Sequence, residues 1–421
     1  MNNRPQKNRW RLVLVLGSAT LLSLSGDLTL YAILPVNAGG LLLTLAQIGV
    51  LLSANRFVRL LSNPLTGFLL DRGKRRPIFL TGMLLGTLST LVYAQTRMFW
   101  VLLIGRLMWG VAWSFINVGG NTMVIDSTQP ADRGRFLGVL NLLLSLGLAL
   151  NPLIGGFLAD ALGFRPTMLV CALLTGAGFL LALLLLPETH PVGVPTAHQE
   201  IIGSQPAVTN QHTRLPVLFR KFNIYALGWQ TWLAILLTFV IFFAGNGLIM
   251  ATIGRYLALE LGEGHIFRGT LIGISALTGI VLSSRSLLIA GSAPLSGALS
   301  DRGNNRWPAV LVGLTCGALG MFALGILPTT PALFMGIVLV SLSEGVLFTV
   351  LPAIIGDQAL SSHRGRALGL AFMASDLGAA LAPLLVYSII SLIPLRSAYL
   401  ASAAMFALGL GLVLGIVKRK K

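Results

Sequence analysis

The pattern Ser-Asn-Pro-Leu-Thr-Gly-Phe-Leu-Leu-Asp-Arg-Gly at Ser62–Gly73 returns as Ser-Ala-Pro-Leu-Ser-Gly-Ala-Leu-Ser-Asp-Arg-Gly at Ser292–Gly303, an offset of 230 residues. Two shorter segments repeat at an offset of 231: Arg133–Gly138 as Arg364–Gly369, and Leu150–Pro152 as Leu381–Pro383. A chain whose second half repeats the first in parallel order folds as two related bundles. The surface between such bundles is where a pore or a binding cleft belongs.

The solvent of those bundles is lipid. With 55% hydrophobic and 10% charged residues over 421 positions, and a mean hydropathy of +0.84, the chain has too little polar surface to enclose a water-soluble core. A hydrocarbon layer of about 30 Å needs roughly 20 apolar residues per helix. On that measure spans are expected at residues 12–35, 44–67, 78–95, 99–122, 136–158 and 166–186, then 229–252, 269–292, 308–327, 332–355, 366–389 and 396–416. The expected fold class is an all-α membrane protein with twelve transmembrane helices in two pseudo-symmetric six-helix bundles. Residues 1–186 and 223–421 form the bundles, and 187–222, rich in Pro, Thr, His, Gln and Gly, forms a linker long enough to pass between them.

A formal charge of +17 raises the question of nucleic acid. Position answers it. Of the 30 Lys and Arg, 21 fall on one side of the twelve-span arrangement, at both termini, Arg72–Arg76, Arg133, Arg135, the linker, Arg302, Arg306, Arg364 and Arg366. Only Arg97, Arg165, Arg255, Arg268 and Arg396 fall on the other. This is the positive-inside asymmetry, with both termini cytoplasmic, and it accounts for the basicity without an acidic partner. The expected partners are the lipid bilayer and a small-molecule substrate, with no nucleic acid and function as a monomer. The absence of Asn-x-Ser/Thr sequons points to a bacterial source and hence to the inner membrane.

No cofactor or metal is expected. Cys171 and Cys316 lack ligand spacing and read as core packing, and the linker histidines His190, His198 and His212 are irregularly spaced. Gly67–Arg75 is not a nucleotide-binding loop, because five residues separate Gly67 from Gly73 and Lys74 is followed by Arg. Energy must come from an ion gradient, the substrate's own gradient or a partner chain. No nucleophile, base and orienting group occur together, so an enzyme is not expected.

These residues resemble the major facilitator superfamily over essentially the whole chain. Gly67–Arg76 is similar to that family's signature between the second and third helices, G-x-L-x-D-R-x-G-R-R/K, with the glycine one position early, and Gly297–Arg306 shares the same shift. The resemblance implies a conformational latch formed by Gly67, Asp71, Arg72, Arg75 and Arg76 and, in the second half, Gly297, Asp301, Arg302 and Arg306. Asp71 would face a helix N-terminus across the interface, and Asp126 is the acidic candidate for Arg75 or Arg76. Gly105–Gly110 resembles the fourth-helix signature whose arginine is associated with proton coupling. Gly147–Gly156 resembles the exporters' fifth-helix signature, with Asn151 in place of a glycine. Gly26-Asp27 is similar to the first-helix acidic position of drug and metabolite exporters. Asn151, Pro152 and Pro383 mark expected kinks at the interface.

Seven ionisable residues lie inside the spans: Asp27, Arg56, Arg59, Arg106, Arg285, Glu344 and Asp376. At about 3 kcal/mol each they would cost on the order of 20 kcal/mol facing lipid, so they must face each other or water. At 1.5 Å per residue Asp27 lies roughly 22 Å from the start of its span and Arg106 about 12 Å into an oppositely running one, so their heights nearly coincide. Asp27, Arg106, Glu344 and Asp376 are the expected proton-coupling set, and Asp27–Arg106 reads either as a coupling pair or as a structural ion pair. Arg56 and Arg59 reach Asp376 if the second and eleventh helices adjoin, as they do in the family. A polar and aromatic stripe through Trp113, Asn117 and Asn121, another through Thr238, Phe242 and Asn246, and Tyr31 on the first span form the expected substrate cavity, with interhelical hydrogen bonding as the alternative for the Asn and Thr residues. The resemblance implies proton-driven export of a small amphipathic or hydrophobic compound. The alternatives are proton-coupled uptake of a metabolite or organic anion, and a non-transporting membrane sensor.

Overall fold

The computed structural model describes residues 6–129, 131–189, 227–262, 264–267, 270–301, 305–326, 330–358 and 364–419. The expected linker beyond residue 189, with its histidines, and Arg302 lie outside the described residues. The rest is helical apart from one small hairpin: α1 (Gln6–Ser23), α2 (Ser25–Ile33), α3 (Leu45–Arg72), α4 (Arg75–Gln95), α5 (Phe99–Ser127), α6 (Arg133–Leu162), α7 (Phe164–Leu185), α8 (Trp229–Ile241), α9 (Met250–Leu261), α10 (Ile274–Asp301), α11 (Trp307–Ile326), α12 (Thr330–Gln358), α13 (Arg364–Ile389) and α14 (Leu395–Arg419). Strands β1 (Gly264–Phe267) and β2 (Thr270–Gly273) pair antiparallel between α9 and α10.

Among the described residues, eleven stretches are long and apolar enough to cross a bilayer. α3 completes the twelve: it has 28 residues, and Arg56 and Arg59 lower its hydropathy. The first span is α1 and α2 in series, interrupted at Leu24. The hydroxyls of Ser23 and Ser25 bond Thr20 O and Leu22 O, each at 2.8 Å, competing with the backbone ladder there. The seventh span runs past the expected residue 252 to Leu261, because a π-helical stretch, Phe242–Ile249, joins α8 to α9 without breaking the rod. The eighth begins at Ile274 rather than 269, since Thr270–Gly273 is strand. Several helices outrun their apolar segments towards the face that carries both ends of the chain, the basic face. The Ser62–Arg72 signature is therefore helical rather than loop.

Two helix pairs join the halves: α6 runs along α10, and α3 along α13. Their contacts concentrate at the opposite face, where β1 and β2 lie. A Cβ on Gly156 would meet Ser275 O at 2.3 Å, and one on Gly279 would meet Pro152 O at 2.3 Å, so the backbones touch there and only glycine fits. Asp160, from α6, accepts from Ser275 N at 3.2 Å and Ala276 N at 2.8 Å, capping the first turn of α10 in the other half. Pro152 cannot donate to Leu148 O, and Ser286 Oγ from α10 takes that carbonyl at 3.2 Å. Near the basic face, by contrast, Gly67 has open space within 4 Å and Asp71 is exposed. The halves meet at the hairpin face and part at the basic face.

Gly279→Val should prevent this closure. We expect a lower thermal unfolding midpoint, from about 1–3 kcal/mol of overpacking, and a wild-type midpoint would contradict the close α6–α10 contact.

Candidate functional site

Burial decides which charges can be functional, and three groups of them sit at mid-depth. In the first half, the break at Leu24 puts Asp27 in the first turn of α2, where the amide dipoles favour a carboxylate. Arg106, fully buried on α5, donates directly to Asp27 Oδ1. Its Nε donates to Leu51 O at 2.8 Å, and its Nη2 to Tyr31 Oη at 3.2 Å. The Tyr31 hydroxyl donates to Leu52 O at 3.0 Å, and Asn55 Nδ2 donates to Asp27 Oδ1 at 3.4 Å. Three helices, α2, α3 and α5, thus converge on one carboxylate. Gly110 lets α5 approach α3 closely enough for this, since a Cβ there would meet Asn55 O at 2.6 Å.

The second half has its own cluster. Arg285 on α10 pairs with Glu344 on α12, and Asn246 donates to the other Glu344 oxygen. The π-helical stretch makes the room: a Cβ on Gly245 would meet Glu344 Oε2 at 2.3 Å and Arg285 Nη2 at 2.9 Å. Arg285 occupies the repeat position of Asn55, so the same register holds a neutral donor in one half and a cation in the other.

The third group spans the interface. Arg59 Nη2 on α3 lies 2.7 Å from Asp376 Oδ1 on α13, and Arg56 Nη1 lies 3.8 Å from the same oxygen. Asn63 Nδ2 donates to Asp376 Oδ2 at 3.3 Å while its Oδ1 accepts from Ser114 Oγ at 2.7 Å.

At the basic face the charges pair within each half. Arg75 Nε donates to Asp126 Oδ2 at 2.9 Å, and Arg306 Nε donates to Asp357 Oδ2 at 2.8 Å, the same atoms 231 residues on. Glu188 accepts from the backbone N of Arg75 and Arg76 at 3.0 and 3.3 Å, capping α4.

The family model of the Major Facilitator Superfamily matches residues 16–284 and 269–421. The chain belongs to the Major Facilitator Superfamily. It is similar to the class C tetracycline resistance protein of Escherichia coli, 26% identical over 396 residues that cover 91% of this chain and 90% of that one. It is also similar to the multidrug resistance protein MdtG of Enterobacter lignolyticus, at 23% identity covering 84% and 78%. Among solved structures, the nucleoside transporter NupG shares the fold at a TM-score of 0.77, with 14% identity over 96% of this chain and 99% of that one. A bacterial homologue of the human lysosomal transporter Spinster, in an inward-facing and occupied conformation, gives a TM-score of 0.74 at 15% identity, covering 99% and 98%. The protein is a multi-pass membrane transporter of this superfamily and not an enzyme.

For this member of the superfamily the expected cavity residues divide. Tyr31 is buried, its hydroxyl held between Arg106 and Leu52 O, while Asn246 is half-buried and donates to Glu344. Trp113 stacks near Trp109 at 6.4 Å between ring centres, and Asn121 bonds Asn117 O at 2.8 Å, so this stripe is half-buried and satisfied along its own helix. Thr238 bonds Ala234 O, and with Phe242, Phe348 and Phe372 it lines an apolar recess. Asp71 makes none of the expected cross-interface contacts among the described residues, and Gly67 allows no close approach here, because the basic face is open. Asp301 pairs with Arg306 and Gly297 rests against Thr349. Pro152 and Pro383 lie inside continuous helices, and Asn151 staples α6 to the first span through Ser25 Oγ at 3.0 Å and Leu21 O at 2.9 Å.

Sequence reasoning missed Asn55, Asp160, Glu188 and the roles of Arg285 and Asp357. Asp357 follows from Asp126 by the repeat offset, whereas Asp160 acts across the interface and carries no local signal.

Arg106→Gln should destabilise the protein by about 3–5 kcal/mol, the cost of leaving Asp27 buried and unpaired. Adding Asp27→Asn should recover part of that loss in a thermal unfolding assay. A double variant no more stable than Arg106→Gln would show that the two side chains are not coupled.

Proposed function

We propose that this transporter exports a small amphipathic compound in exchange for protons by alternating access, from the bacterial cytoplasm across the inner membrane, as a monomer. The observation that carries the reading is the Asp27–Arg106 pair. It is buried at mid-depth, is tied to α3 through Leu51 and Asn55, and so is poised to report one proton to the helix that meets the other half. Protonating Asp27 removes the carboxylate charge that holds Arg106. The guanidinium then keeps only neutral partners, and the preferred arrangement of α2, α3 and α5 changes. Substrate and proton need not touch: each shifts the same equilibrium between two facing states, and that is coupling.

Direction and sidedness have separate supports. The basic residues gather on the face of the termini, which the positive-inside rule assigns to the cytoplasm. The state described here is then open inward, ready to load from the cytoplasm. Similarity to proteins named for tetracycline and multidrug resistance supports export. Glu344 and Asp376, each held by arginine, are secondary coupling groups. Gly67, Asp71, Arg72, Gly297, Asp301 and Arg302 form the latch that engages when the basic face closes.

In proteoliposomes, Asp27→Asn should abolish proton-driven substrate accumulation with expression near wild type. Wild-type accumulation by that variant at saturating gradient removes Asp27 from coupling, and substrate moving with protons rather than against them replaces export by uptake. Asp71→Ala should slow interconversion between facing states while leaving substrate affinity unchanged. A large loss of affinity with normal turnover would contradict the latch.

A further inference from the structure

The buried ion pairs are not equally balanced. Arg106 has Asp27 and Arg285 has Glu344, one cation to one anion. On α3, however, Arg56 and Arg59 share the single carboxylate of Asp376, at 3.8 and 2.7 Å. One positive charge is left over at mid-depth. Two arginines offer ten N–H donors, and Asp376 also accepts from Asn63, so the carboxylate cannot saturate them. Arg59 is buried, and its Nε and Nη2 find no hydrogen-bond acceptor among the described residues, even though Nη2 lies close to Asp376.

The surroundings suit a molecule with an acidic head and an aromatic body. Phe372 lies one turn from Asp376 on the same face of α13, towards the open basic face, and is 63% exposed. The Phe242 and Phe348 rings, 6.0 Å apart, line the recess beside it. An anionic group at Arg56 and Arg59 would therefore leave an attached ring system about one helix turn from the exposed Phe372, on the side of the open basic face.

We propose that Arg56 and Arg59 form an anion subsite in which Asp376 is the resident stand-in, and that the transported compound is an aromatic organic anion whose acidic group displaces it. This rests on the transporter reading and narrows its substrate class. Displacement has a mechanical result, because the Asp376 contacts with Arg59 and Asn63 bridge the two halves. A substrate that takes over the arginines releases α13 from α3 at mid-depth, so its binding favours the rearrangement that carries it.

The test is equilibrium binding to the purified protein without any gradient, using 1-naphthoate, 1-naphthalenesulfonate and the neutral 1-naphthamide as probes. At least one anion should bind, and more tightly than the amide. Arg59→Gln should weaken anion binding by about tenfold or more, the worth of one charge-assisted hydrogen bond, and leave the amide unaffected. Asp376→Asn should strengthen anion binding, because the competitor is gone, and Arg56→Gln gives an independent reading should that variant fold poorly. The proposal is overturned if the amide binds as well as the anions, if Arg59→Gln and Arg56→Gln leave anion affinity unchanged, or if neither anion binds wild type or Asp376→Asn. Sulfonate binding without carboxylate binding keeps the subsite and identifies the head group. An anion that binds but is not exported against its gradient retains the subsite and overturns proton-driven export instead.

Discussion

Charge in a low-dielectric medium is the constraint from which the rest of this structure follows. A bilayer tolerates an arginine at mid-depth only when a counter-ion or water meets it. The four arginines and three carboxylates inside the spans must therefore find each other, and their pairs tie particular helices together. Arg106 holds α5 against α2 and α3, Arg285 holds α10 against α12, and Arg59 holds α3 against α13. Apolar packing alone discriminates poorly among helices in lipid, since one leucine-rich face resembles another. The ion pairs supply the discrimination.

The same constraint explains two local irregularities. The first helix of each half departs from regular α geometry beside its buried carboxylate: at Leu24, just before Asp27, and over Phe242–Ile249, opposite Glu344. In each case the departure serves the acid. The break puts Asp27 at the amide end of a helix, and the π-helical stretch turns Asn246 towards Glu344 while Gly245 clears the space. Distortions of this type cluster at working sites because regular helix cannot present both a donor and a gap at one height.

Much of this is legible in the sequence because helix rise is fixed. Depth arithmetic brings Asp27 level with Arg106, and the spacing of Arg56 and Arg59 puts both on the α3 face that meets Asp376. The twelve spans are legible because a bilayer imposes one length on all of them. What escapes the sequence are interactions whose partner is a backbone atom or belongs to the other half. Asp160 caps a helix 115 residues away, and Leu148 O is free for Ser286 only because Pro152 follows four positions later. Tyr31 reads as cavity wall because periodicity gives a face but not what covers it, and here Arg106 and α3 cover it. The basic-face Gly67, which periodicity alone also reads as a contact, has open space around it.

The paired arginines at the basic face have a consequence for how the molecule moves. Arg75–Asp126 and Arg306–Asp357 stay inside their own halves and use identical atoms. Each therefore braces a corner, tying the start of α4 or α11 to the end of α5 or α12, and leaves the seam between halves unencumbered. Neither pair has to break for the halves to separate or close at the basic face.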